Sequence, residues 1–175
     1  CFELIDSDSK NIDNNTYDNL INLDAEIALI GCILWDNKNY EKIADFIDDT
    51  HFVDKNNQII FRTIKNLLDK NILVSPITLK NYLPNDNESL DNTHYLNQIK
   101  DSTPSTQNTY NYAKLIYDLH IKRTLIGISH KIIQDTNNKS DSLSGEILIE
   151  NAENELYLLS QTGNADRNFL DFGTA

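Results

Sequence analysis

The chain of 175 residues has room for one domain with an appendage, and its 39% hydrophobic content supplies a core, which excludes a wholly disordered protein. Asp and Glu outnumber Lys and Arg 27 to 15, a formal net charge of −12. Binding to phosphates draws most of its free energy from basic side chains, so this balance argues against an independent nucleic-acid grip and favours a basic partner surface or a site on another part of a larger protein.

In chain order, residues 1–21 mix Asp, Asn and Ser with little apolar periodicity and predict a loosely held, flexible arm. Asn22 to Trp35 is then nearly all apolar after its first turn. Asn22 suits a helix cap, and Asp24 and Glu26 suit the positive end of the helix dipole. Ile27, Ala28, Ile30, Gly31, Ile33 and Leu34 leave almost no polar face, so the helix is expected to be buried on most sides. Trp35 to Asn39 reads as a turn, Tyr40 to Ile47 as a short helix, and His51-Phe52-Val53 as a connection. Asp54 to Lys70 carries a helical stripe at Ile59, Ile60, Ile64, Leu67 and Leu68. Ser75-Pro76 is a cap followed by Pro in the first helical position, opening a helix over Ile77 to Leu83 that Pro84 ends. A polar loop over 84–92 leads to a short helix from His94 to Ile99, and Ser102-Thr103-Pro104-Ser105 marks the next break.

A different kind of pattern follows. From Ser105 to Thr136 one long helical stretch has no breaker except Gly127. At 100° per residue, Tyr112, Leu115, Ile116, Leu119, Ile126 and Ile133 fall on one side. Tyr117, Ile121, Leu125, Ile128 and Ile132 fall on the opposite side. Such a helix must be sandwiched, either by another chain or by the globular half of its own. The loop Asn137 to Asp141 joins it to a second helix, Leu143 to Gln161, with Ile147, Leu148, Ala152, Leu156 and Leu159, and Gly163 reads as its stop. A short loop between two long helices makes an antiparallel hairpin. No segment alternates as a strand. The expected fold is all-α, a small orthogonal helical globule over 22–104 followed by a long antiparallel helical hairpin over 105–162.

Chemistry-bearing motifs are sparse. None of the five glycines precedes a Lys, so no P-loop is present. Cys1 and Cys32 give neither a disulfide framework nor metal-ligand spacing, and Cys32 reads as a buried thiol in a reducing compartment. His51, His94, His120 and His130 lack ligand spacing, and Asp91 with His94 reads as a solvated loop-and-cap pair. Glu150 and Glu153 resemble half of the acidic signature of all-α nucleotide pyrophosphohydrolases, which leaves a metal-dependent nucleotide hydrolase as one alternative. Tyr110, Tyr112 and Tyr117 would have to stack on bases for direct single-strand DNA binding. An unrelated helical interaction module is a further alternative. There is neither a secretory signal nor a membrane-spanning run, and a start at Cys1 without Met suggests a trimmed or excised piece.

The order of these pieces resembles the N-terminal domain of DnaB-type replicative DNA helicases. The family's Asn-Leu-x-Ala-Glu-x-Ala-x-x-Gly-x-x-Leu matches at Asn22, Leu23, Ala25, Glu26, Ala28, Gly31 and Leu34. An aspartate-rich connection ends at His51-Phe52, and His-x-x-Ile-Phe-x-x-Ile-x-x-Leu appears at Asn57, Ile60, Phe61, Ile64 and Leu67. Val-Asp-x-x-Thr-Leu becomes Val74, Ser75, Thr78 and Leu79, followed by Tyr95-Leu96. Pro104, Ser105, Asn108, Tyr112 and Ala113 match the next motif, and Arg123 with Leu125 closes the run. No piece is specific alone; seven in order are. The family's His is Asn57 here, and its Asp is Ser75, an equally good cap.

What the resemblance implies is a non-catalytic collar of a hexameric helicase, acting in DNA replication. Its structural core would include Leu23, Ala25, Ala28, Gly31, Leu34, Ile60, Phe61, Ile64 and Leu67. The hairpin would pair with that of a second copy through Tyr117, Ile121, Leu125, Ile128, Ile132, Ile147, Leu148 and Leu156. Catalytic, cofactor and metal sites are expected to be absent. ATP and Mg would belong to a missing ATPase domain beyond Ala175, with residues 163–175 starting the linker, and DNA would be reached only through that domain. The resemblance further implies a homo-oligomer, primase and a helicase loader as partners, no membrane contact, and a cytoplasmic location, bacterial or organellar.

Overall fold

The computed structural model describes residues 18–83, 93–103, 105–138 and 143–170, with only the backbone described for 93 and 162–170. Among the described residues, all regular structure is helical. The described residues form two compact units, one through Leu119 and one from His120 onward.

In the first unit, α1 spans Leu23–Trp35, and the Asn22 side chain accepts from Ala25 N to cap it. Ala25, Glu26 and the run from Leu29 to Leu34 are buried. Leu23 is a correction to the expected core: it is 44% exposed, because it lies on the side of the first turn away from buried Ala25 and Glu26. The helical segment expected over 40–47 is shorter, with α2 confined to Lys38–Glu41 and turns continuing to Phe46. Side chains compete for the backbone here. Asn39 Nδ2 donates to Cys32 O, while Asn37 Nδ2 donates to Ile33 O and Val74 O and its Oδ1 accepts from Val74 N. Ile43 and Ile47 are buried all the same.

A 3₁₀ turn at Asp49–His51 leads into α3, Lys55–Leu68, capped by Asp54 accepting from Asn56 N and Asn57 N. The stripe Ile60, Phe61, Ile64 and Leu67 is buried, with the Phe52 and Phe61 rings 4.7 Å apart. The helix ends where Asn71 takes φ 58° and Ile72 N turns back to Leu67 O, a stop that Asn tolerates because it enters the left-handed region at low cost. Helix α4, Pro76–Lys80, opens with Ser75 and Thr78 bonded reciprocally as a capping box, and Leu79 seats it in the core. Pro84 and Asp91 lie outside the described residues.

Helix α5, Thr93–Asp101, packs most extensively against α1. Gly31 allows the approach: a Cβ built there would lie 1.9 Å from Thr103 Oγ1 and 2.7 Å from Ile99 O. A second 3₁₀ turn, Thr106–Asn108, precedes the long helix α6, Thr109–Asn137. Helix α7 spans Gly145–Leu170. It runs through Gly163, the expected stop, because one glycine inside a long helix costs only about 1 kcal/mol relative to alanine. Among the described residues no helix is long and apolar enough to cross a membrane.

Candidate functional site

Among the described residues of the first unit, Glu26 is the buried carboxyl side chain. Glu26 is 2% exposed on α1 and accepts from three donors: Val53 N at 2.6 Å, Asp54 N at 3.3 Å and Asn57 Nδ2 at 2.9 Å. The carboxylate clamps the entry of α3 to α1, which gives the Ala-Glu of the family pattern a structural role. Asn57, standing at the family's His, supplies the side-chain donor, while its Oδ1 is buried with no hydrogen-bond partner among the described residues. Burial pushes the Cys32 thiol above its ordinary pKa, with the Thr109 side chain opposing the shift through a hydrogen bond.

Tyr117 belongs to this unit and corrects the expectation that it meets a second copy. It is 8% exposed, with its ring 5.3 Å from His51 and 6.1 Å from Phe46, so it serves as core. Tyr110 packs edge-on against the same Phe46 at 5.5 Å. Tyr112 lines an open groove with Ile27, Ala28 and Leu115.

The second unit is made from the end of α6 and from α7. Ile128, Lys131, Ile132 and Asp135 face Leu148, Ala152 and Glu155 across a cleft, and Lys131 Nζ is paired with Glu155. Ile128 and Leu148, expected to meet another chain, therefore sit in the seam of their own hairpin, Ile128 buried and Leu148 half-buried. Ile121 is half-buried. Leu125, Ile147 and Leu156 are exposed, and Ile132 lines the cleft while remaining partly open to solvent.

The apolar pattern read from the sequence left out the three most exposed large apolar side chains of this unit among the described residues, Ile149, Tyr157 and Leu158. The signal was present in Leu156-Tyr157-Leu158-Leu159: four consecutive apolar residues span about 300° of a helix and cannot share one seam. An isolated hairpin leaves this area in water, where each large side chain forgoes roughly 1.5–3 kcal/mol of burial.

Glu150 and Glu153 are exposed on α7, and among the described residues there is no group of three or more His, Cys, Asp or Glu able to hold a metal ion.

The family model for the DnaB-like helicase N-terminal domain matches residues 18–118. The replicative DNA helicase DnaB of Rickettsia conorii is 32% identical over 154 residues, covering 87% of this chain and 31% of the relative. That of Treponema pallidum is 28% identical over 142 residues, 79% of this chain and 32% of the relative. The chain thus spans about a third of the length of the curated relatives it matches. Two solved structures share the fold. The N-terminal domain of DnaB helicase from Mycobacterium tuberculosis has a TM-score of 0.69 at 16% identity, over 78% of this chain and 96% of that one. The structure described as a DnaB-like replicative helicase and its interactions with primase has a TM-score of 0.66 at 21% identity, over 88% of this chain and 35% of that one. The motifs in order, the all-α fold and the match over more than half the chain agree, and the chain belongs to the DnaB-like helicase N-terminal domain family.

Proposed function

We propose that this chain is the assembly and docking collar of a replicative DNA helicase, with no chemistry of its own. The observation that carries this reading is the set of large apolar side chains left exposed on the hairpin, Leu125, Ile133, Ile147, Ile149, Leu156, Tyr157 and Leu158 among them. Large apolar side chains left in water in this number are the mark of an interaction surface, and its natural occupant is the hairpin of a second copy. In this reading the pairs build a ring, hexameric in the whole helicase, on whose outer surface primase and a loader dock. ATP and Mg²⁺ serve the motor domain of the whole protein, DNA is held there too, and the setting is the bacterial or organellar interior where DNA is replicated. The acidic surface, −12 over the chain, suits basic partner proteins and disfavours direct binding to DNA.

The test is light scattering on the chain over the micromolar range. Association that rises with concentration, and that Leu156→Asp weakens while helicity is kept, supports the collar. A monomer at every concentration sinks the pairing. Titration with purified primase by calorimetry then tests docking; absence of heat under low and moderate salt removes primase from the list of partners.

A further inference from the structure

The two most exposed large apolar side chains among the described residues lie outside the hairpin, Leu73 at 77% and Ile77 at 72%. Val74, Pro76 and Leu79 are buried, and the alternation of the extended run leading into α4 leaves Leu73 and then Ile77 in water. The backbone that carries them is tied down. Val74 N donates to Asn37 Oδ1, Val74 O accepts from Asn37 Nδ2, and Ser75 with Thr78 closes the capping box. The same Asn37 brings the end of α1 alongside, where Trp35, the one tryptophan of the chain, is 60% exposed with Lys100 Nζ 5.5 Å from its ring centroid. Charge in these segments runs against that of the chain. Lys38 and Lys70 are exposed, and no Asp or Glu falls between Asp69 and Asp86. Asp69 itself is paired with Lys65, and Asp36 accepts from Lys38 N.

We infer that this surface docks an acidic segment of a partner protein, whose bulky apolar anchor sits among Trp35, Leu73 and Ile77 while its carboxylates face Lys38, Lys70 and Lys100. Two of the three apolar side chains are aliphatic and give a nucleic acid nothing to stack on, and three lysines in a chain of −12 are a poor grip on phosphate. A peptide needs less. One large side chain buried in the patch supplies the attraction, and the lysines select an acidic sequence over a basic one. At physiological salt, charges more than about 8 Å away are largely screened, so the local lysines outweigh the remote carboxylates. The hydrogen-bonded backbone of the patch keeps the ordering cost of docking low. This inference rests on the docking role proposed for the chain, names the chemistry of one partner, and is independent of hairpin pairing.

Trp35 is the reporter for the test. A synthetic peptide of Asp and Glu flanking one Phe and one Leu is titrated into the full chain at about 0.1 M salt, beside a control with Lys in place of every acidic residue. A saturable change in Trp35 emission is expected with the acidic peptide and none with the control. Leu73→Ser with Ile77→Ser is expected to weaken binding at least about ten-fold, and Lys38→Glu with Lys70→Glu about five-fold. All four side chains are exposed, and circular dichroism confirms that the variants fold. No response to the acidic peptide, or equal binding by the quadruple variant, overturns the inference. Tighter binding of a single-stranded oligonucleotide overturns it in favour of nucleic acid, and emission that changes with protein concentration alone overturns it in favour of a second copy. A chain that pairs through its hairpins yet ignores the peptide overturns this inference alone; a monomer that binds the peptide overturns the pairing alone.

Discussion

Asn57 on α3 donates its Nδ2 to Glu26 Oε2 on α1 across 2.9 Å, completing a set of three donors around a carboxylate that is almost wholly buried. Truncating the acceptor strands all three, and each orphaned donor costs about 1–3 kcal/mol less whatever water recovers. Glu26→Ala is expected to lower stability by about 2–4 kcal/mol, read from urea unfolding with an unchanged m-value. Asn57→Asp sets a second carboxylate against the first and is expected to cost about 3 kcal/mol near pH 7. A neutral outcome for both substitutions would mean that the clamp contributes nothing.

Gly31 makes a sharper steric claim. Its missing Cβ leaves room for Thr103 Oγ1 and for the backbone oxygen of Ile99. Gly31→Ala gains intrinsic helix propensity, yet it must push α1 and α5 apart, and a net loss of about 3 kcal/mol is expected. Adding Thr103→Ala removes the hydroxyl clash while leaving the Ile99 oxygen at 2.7 Å, so the double variant should recover only part of the thermal midpoint. Full recovery would place the whole constraint in one side chain.

These two sites show how far the amino-acid order could be read. Ala25, Gly31, Ile60, Phe61, Ile64 and Leu67 repeat with helical period and are buried where that period points. Leu23 has the same character but remains 44% exposed among the described residues, on the other side of the first turn from buried Ala25 and Glu26. Tyr117 shares a side of α6 with Ile121 and Ile128, so the helical wheel groups it with the hairpin; its position along the axis puts it beside Phe46 and His51 instead. An angular projection carries no axial information. The buried role of Glu26 was invisible for a related reason, since Glu near a helix start reads as dipole compensation, and its three donors come from residues far along the chain.

The seam and the outer surface of the hairpin should respond differently to substitution. Ile128→Ala removes a buried side chain from the cleft with α7, and a stability loss of about 2–4 kcal/mol is expected. Tyr157→Ser alters a residue 62% exposed in the isolated chain. It should leave unfolding of the dilute monomer nearly unchanged while weakening association. Equal effects of the two variants on monomer stability would contradict the division into seam and outer surface.

Cys32 offers a readout of the core that needs no partner. Its side chain is inaccessible in α1, with Sγ 3.7 Å from Ser105 O, and burial holds its thiol above the ordinary pKa. In a Cys1→Ser background, a disulfide reagent should react slowly with the native chain and at once in urea. The sign of the pH dependence follows from the direction of the shift. Below the ordinary thiol value of about 8.5 both folded and unfolded forms keep the proton, and the contribution to stability is complete. As pH rises past that value the unfolded thiol ionises first, and stability falls until the raised folded value is passed. Cys32→Ala should therefore flatten the part of this alkaline decline that belongs to the thiol, though it lowers stability at neutral pH by leaving a small cavity. Fast labelling of the native chain, or an alkaline decline identical in Cys32→Ala, would place the thiol outside the packed core.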